Sequence, residues 1–195
     1  IAYCHSGYRP EAVKQAYAQS GSGVFYLRNS SGEVTFQGNC VPQANGLRQM
    51  DFSPVKAEGW YTLEVDGKKS RPFRIGRDAY IPAAWKTLNF FFSERCGFDV
   101  PGIHTECHMD VMSVHPDGRR LPVCGGWHDA GDLTQAAINT AESVFAMLEL
   151  AIAEREAQPE LSQRAKEEAR WGLNWLMRTR WGDGYRHNGT VIGFW

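Results

Sequence analysis

The sequence predicts an all-β sandwich over residues 1–77, followed by a helical region over residues 78–195. Three observations carry this. Short alternating apolar runs are broken by Gly and Asn turns up to residue 77. Apolar residues recur at three- and four-residue steps beyond residue 80. A Gly-framed pair of Asp residues stands just before the first of two long helical patterns.

In the first region, Val24-Phe25-Tyr26-Leu27-Arg28 is a short strand, and Asn29-Ser30-Ser31-Gly32 turns the chain into a hairpin partner at Val34-Thr35-Phe36. Gly59-Trp60-Tyr61-Thr62-Leu63-Glu64-Val65 alternates apolar and polar residues, and Asp66-Gly67 supplies the next turn. Arg71-Pro72-Phe73-Arg74-Ile75 closes the series. Short strands at regular spacing are the pattern of a sandwich. No catalytic cluster stands out among them.

The second region opens with a helical run at residues 83–92, where Ala84, Leu88, Phe91 and Phe92 share a face. Residues 94–126 are irregular and rich in Gly, His, Cys and Pro; a connection this long is usually functional or tied down by a metal. A helix is expected over residues 133–156 with Ala137, Val144, Met147, Leu148 and Ala151 inward, ending before Pro159. Another is expected over residues 160–179 with Leu161, Ala165, Ala169, Leu173, Leu176 and Met177 inward. Two long helices with a short joint argue for an antiparallel pair. Residues 182–195 read as loop.

Composition narrows the function classes. The net charge of −1 leaves no basic surplus for a nucleic-acid backbone. No apolar run reaches the ~20 residues that cross a bilayer. The chain opens on Ile1-Ala2-Tyr3 without a signal peptide, as a mature or trimmed secreted product would. Seven Trp suit a sugar-binding cleft, where flat rings stack on pyranose faces, and suit an aromatic core equally well. Cys4, Cys40, Cys96, Cys107 and Cys124 are odd in number and cannot all pair; Cys4 and Cys40 both lie in the sandwich region.

Gly125-Gly126-Trp127-His128-Asp129-Ala130-Gly131-Asp132 carries the chemistry. The glycines let the backbone turn tightly and approach a ligand. Asp132 precedes Leu133 and is placed to cap the following helix, which is what a lone Asp there usually does. Two Asp in a Gly-framed, Trp-bearing loop point instead to carboxylates that work together. Close by, Cys96, His104, Cys107, His108, His115 and His128 fall within 33 positions. Zinc takes four such ligands in structural sites, although this is not finger spacing. The competing reading makes Cys96 a small buried hydrophobe and the histidines loop surface.

The eight-residue stretch closely resembles the signature of family-nine glycoside hydrolases, the cellulase-type family, in which the His128 position is often Tyr. Asn139-Thr140-Ala141-Glu142 and Trp171-Gly172-Leu173-Asn174-Trp175-Leu176 also fit. Upstream, Tyr8-Arg9-Pro10, Asp51-Phe52-Ser53, Gly59-Trp60-Tyr61 and Ser70-Arg71-Pro72-Phe73-Arg74-Ile75-Gly76 resemble the immunoglobulin-like domain that precedes many of these catalytic domains.

The resemblance implies an immunoglobulin-like sandwich at 1–77 and the first helices of an (α/α)6 barrel at 78–195, with the barrel incomplete. It implies inverting hydrolysis of a β-1,4-linked glucan. Asp132 would be the general base and Asp129 would help orient the water, both ionised. The family's general acid is a Glu far downstream that nothing here matches, so the chain is expected to hold half of a site and to need the remainder of its own catalytic domain as partner. Trp127 is the candidate sugar platform with His128 beside it; Trp181 and Trp195 are weaker candidates.

Sandwich-bearing members often hold a structural zinc with two Cys and two His, so the resemblance implies one here. Here Cys96, Cys107 and His108 match three ligands, and His128 is taken as the fourth, with His104 and His115 as alternates. Calcium also occurs in the family, but this segment offers no ligand set for it. Within the family the rival activities are an exo-acting β-glucosidase or glucosaminidase and a xyloglucanase. Outside it, the rival is a non-catalytic, zinc-stabilised carbohydrate-binding module. The expected location is secreted or periplasmic.

Overall fold

The computed structural model describes residues 1–21, 23–129 and 134–190. Asp132 and Trp195 therefore lie outside the described residues. The chain divides into two compact units, Ile1–Ala84 and Trp85–Trp195.

The first unit is all β. Its strands are β1 (Gln15–Ala18), β2 (Val24–Asn29), β3 (Val34–Asn39), β4 (Val41–Pro42), β5 (Arg48–Asp51), β6 (Gly59–Val65), β7 (Lys68–Lys69) and β8 (Phe73–Ile75). They form an antiparallel sheet in the order β1-β5-β4 and a second in the order β3-β2-β6-β7, with β8 also on β6. Alternation decides which face each strand buries. In β6, Tyr61, Leu63 and Val65 point inward while Trp60 is exposed. In β2, Phe25 and Leu27 do the same, with Leu27 opposite Leu63. One core draws on both sheets, adding Ala16 and Met50 from β1 and β5. The expected strands at 24–28, 34–36 and 59–65 are present, and the one expected at 71–75 spans Phe73–Ile75. Strands β1 and β5 were not anticipated, because β1 turns only two Ala inward and β5 only Met50. Cys4 and Cys40 are free thiols, one exposed and one buried.

Helix α1 (Ile81–Ser93) runs across the boundary between the units. The second unit continues with a small hairpin of β9 (Met112–Val114) and β10 (Arg120–Pro122). Then come β11 (Gln135–Ala136), α2 (Ala137–Ala153), α3 (Pro159–Arg178) and β12 (Gly189–Thr190). Pro159 at the first turn of α3 has the fixed φ a helix start wants and loses no needed N–H. Helices α2 and α3 pack together through Val144, Met147 and Ala151 on one and Leu161, Ala165, Ala169 and Leu176 on the other. Ser162 locks the joint by donating to the carbonyl of Ala151 at 2.7 Å.

Three expectations change here. Helix α2 begins at Ala137 rather than 133, with Ala136 in extended conformation at its N-cap. Residues 135–136 are instead drawn into pairing with Gly189–Thr190, which also interrupts the loop expected at the end of the chain. Leu148, Leu173 and Met177, expected inward, are exposed at 40%, 43% and 51%. On α2, Ile138, Phe145 and Ile152 are likewise exposed; seven-residue spacing stacks them into one apolar stripe. No helix among the described residues is long and apolar enough to cross a membrane.

Candidate active site and metal centre

Helix α3 builds the loop that carries the Asp pair. Trp171, Trp175 and Arg178 lie on one face at steps of four and three. They donate to the carbonyls of Gly126 at 2.7 Å, Val123 at 2.9 Å and Cys124, respectively. This close approach needs glycine: at Gly126 (φ 71°) a Cβ would lie 2.7 Å from Cγ of Trp175, and at Gly125 (φ 95°) it would overlap the Arg178 guanidinium. Gln135 closes the far end of the loop by donating Nε2 to the carbonyl of Gly125 at 2.6 Å.

The loop is then laced to residues 94–96. Cys96 N–H donates to the carbonyl of Gly126 and His128 N–H to that of Glu94, each at 3.0 Å. This short ladder puts Cys96 Sγ 2.9 Å from His128 Nδ1. His108 Nδ1 stands 3.4 Å from Cys96 Sγ, and Cys107 Sγ 3.5 Å from His128 Nδ1. The four ligand atoms lie within 4.8 Å of one another, and Cys96, His108 and His128 are buried. His108 holds a left-handed backbone (φ 59°), uncommon for a residue with a side chain and a feature of constrained sites.

Burial, with His104 and His108 beside it, pushes His128 down to about 4, leaving a neutral imidazole with a lone pair to offer. Burial and the neighbouring Cys107 push the Cys96 thiol up. Two thiols and two imidazoles converging on one largely buried point are a donor set for a single soft or borderline cation, whose charge would favour the thiolates. The other nitrogen of His128, Nε2, is 3.1 Å from Glu94 Oε2. A carboxylate there fixes the ring and the tautomer of a metal-binding histidine. Of the alternate ligands, His104 has its ring nitrogens 2.6 and 2.7 Å from the carbonyls of Thr105 and Ser93. His115 lies against Asp117 and Asp183 in another cluster.

Asp129 is exposed, its N–H donating to the carbonyl of Thr134 at 2.9 Å. It lines a cleft of 210 Å³ with Glu94, His128, Phe90 and the start of α2 at Asn139, Thr140 and Ser143. Trp127 also lines this cleft, from a largely buried position. It is 6% exposed, meets Phe91 edge-on at 5.0 Å, and fits against Gly172, where a Cβ would lie 2.2 Å from its Cζ3. Its indole N–H goes to Glu168 at 2.9 Å. His128 lines the cleft too, while its two ring nitrogens face Cys96 and Glu94. Sequence reasoning missed Glu94, Gln135 and Glu168. The nearness of Glu94 to Cys96 was the available signal; nothing marked the other two.

A sandwich unit is thus followed by a helical unit that holds an Asp-bearing loop beside a cleft. Residues 80–193 match the family described as glycosyl hydrolase family 9, and residues 5–70 match the cellulase N-terminal ig-like domain. The chain belongs to glycosyl hydrolase family 9.

It is 28% identical over 220 residues to endoglucanase C of Cellulomonas fimi, covering 88% of this chain and 20% of that one. It is 30% identical over 155 residues to a cellodextrinase of Butyrivibrio fibrisolvens, covering 73% and 28%. Among solved structures, AaCel9A in complex with a cellobiose-like isofagomine superposes with a TM-score of 0.74 at 27% identity, covering 96% of this chain and 39% of that one. A Zn-binding triple mutant of the family 9 endoglucanase J30 gives 0.67 at 29%, covering 93% and 40%. The chain thus spans between a fifth and a little over a quarter of these two curated relatives.

Proposed function

We propose that this chain supplies the water-activating half of an inverting β-1,4-glucanase site, endo-acting and working outside the cytoplasm on polymeric glucan. The observation that carries the reading is the exposed Asp129 on the rim of the cleft, in a loop whose sequence resembles the family's signature. Asp132, three residues on, is the general base that takes the proton from the attacking water; Asp129 accepts the second hydrogen and aims the oxygen. Inverting chemistry sets the acid ~6.5–9.5 Å from the base, across the scissile bond, so it is not the partner Asp. Glu94 lines the same cleft but is engaged by His128, and we assign it to orienting that ring. The acid then comes from another part of the catalytic domain. The stripe of Ile138, Phe145 and Ile152 is the surface on which further barrel helices would pack.

Cys96, Cys107, His108 and His128 would hold a structural zinc. Tetrahedral coordination with Zn–S of about 2.3 Å and Zn–N of about 2.0–2.1 Å sets sulfur and nitrogen about 3.6 Å apart, and the observed separations of 2.9–3.5 Å need only a small expansion. With four protein ligands, such a metal has no open position for water and would serve to tie residues 96–108 to the Asp129 turn.

The test is Asp132→Asn in the intact enzyme that carries this chain. Loss of a general base lowers kcat by at least about 100-fold, with zinc content unchanged. Undiminished turnover would overturn the assignment.

A further inference from the structure

Glu168 is fully buried on α3, and its carboxylate gathers four donors. Arg95 binds it in a fork, Nε to Oε1 and Nη2 to Oε2, both at 3.0 Å. Arg164 reaches Oε2 at 2.6 Å, and the Trp127 indole reaches Oε1 at 2.9 Å. A buried carboxylate must be compensated, and bidentate arginine is among the strongest ways to do so. The guanidinium of Arg95 is held further by the Trp171 ring, 4.5 Å away.

The two groups that meet on Glu168 are not arbitrary. Arg95 and Trp127 face each other across the short ladder that joins residues 94–96 to residues 126–128. The next residue along each segment is a metal-ligand candidate, Cys96 and His128. Neighbouring side chains of paired extended segments point to opposite sides. Glu168 therefore grips the ladder from one side while the Cys96 sulfur and His128 nitrogen meet on the other, 2.9 Å apart.

From this geometry we propose that Glu168 is a positioning residue for the metal centre. It holds Arg95 and Trp127 in register so that Cys96 and His128 are ordered before the cation arrives. Preorganised ligands bind more tightly because binding no longer has to order them. Outer partners of metal ligands commonly set about 10–100-fold of the affinity. The inference rests on the zinc reading above and adds to it a residue that touches no ligand atom.

The experiment is zinc affinity at this site in the intact enzyme that carries the chain, measured by competition with a colorimetric chelator. Glu168→Gln removes the charge and risks the fold, since two arginines lose their counter-charge. Trp127→Phe removes one N–H donor and keeps the arginine pairing. Leu161→Ala, buried at the start of α3 away from the ladder, controls for general loss of stability. Both clasp variants are expected to bind zinc about 10-fold more weakly or worse, while Leu161→Ala binds as the wild type does. If Glu168→Gln does not fold, Trp127→Phe decides. Wild-type affinity in Trp127→Phe, or an equal loss in Leu161→Ala, overturns the inference alone. A wild-type chain that takes up no zinc overturns the metal reading and the inference with it.

Discussion

Gln135 donates its side-chain N–H to the carbonyl of Gly125 at 2.6 Å, and both residues are buried. This bond clamps the two ends of the segment that contains Asp129 and Asp132. Replacing Gln135 by Leu keeps the bulk but leaves the Gly125 oxygen without its donor in a dry setting. An orphaned buried acceptor costs about 1–3 kcal/mol. Chemical denaturation of the Gln135→Leu chain should show a lowered midpoint of that order. An unchanged midpoint would mean that removing the Gln135 Oε1, itself buried without a hydrogen-bond partner, offsets the lost bond.

Gly172 is the floor on which Trp127 rests. Gly172→Ala would gain about 1 kcal/mol of helix propensity in α3. The new methyl would lie 2.2 Å from Cζ3 and 2.4 Å from Cη2 of Trp127, however, and 2.9 Å from Val144. Overpacking of this kind costs about 1–3 kcal/mol. The clash should win, so the variant is expected to melt at lower temperature with an altered tryptophan emission. A higher melting temperature would show that Trp127 moves aside without cost.

Metal analysis of the purified intact enzyme that carries this chain should find zinc. Serine is a much poorer zinc ligand than thiolate, so Cys107→Ser should reduce the bound metal sharply. Chelation should free the connection between residues 96 and 108 and speed its proteolysis, because the metal joins that stretch to His128. Cleavage there at the same rate with and without chelator would count against the tie.

In the hairpin between β9 and β10, the Arg119 backbone N–H, with His115 and the Arg119 side chain, holds Asp117 at about 2, below the usual 3.8. Its folded value is depressed, so the favourable contribution is full above the unfolded value and disappears as pH falls through the folded one. Arg119 also binds Asp183, joining the hairpin to the segment after α3. Carboxyl carbon shifts in an NMR titration should therefore show Asp117 still ionised at pH 3, and the clasp opening as pH falls further toward 2. Titration of Asp117 near its ordinary value would contradict that geometry.

Much of this was legible in the sequence because it follows from periodicity and from a short motif. Phe25 and Leu27 against Leu63 and Val65 is alternation made visible, and the inner faces of α2 and α3 follow their spacing. The gathering of Cys96, Cys107, His108 and His128 also coincides with residues the sequence singled out. What escaped depends on contacts between distant residues. Strand β11 exists only because Gly189–Thr190 comes to pair with it, which moved the start of α2. No local pattern reveals that Gly172, 45 positions after Trp127, makes room for the indole ring. Leu148, Leu173 and Met177 carry the inward pattern of a helix but remain exposed. Glu168 reads as one more acid on a charged helix until Arg95 and Trp127 are seen to meet on it.

The central claim is inverting attack by a water held on Asp129 and Asp132. It is tested most directly by the anomer first released when the intact enzyme carrying this chain cleaves a soluble cello-oligosaccharide, followed by proton NMR before mutarotation. Inversion at a β-linkage predicts the α-anomer first. Initial release of the β-anomer would contradict the account.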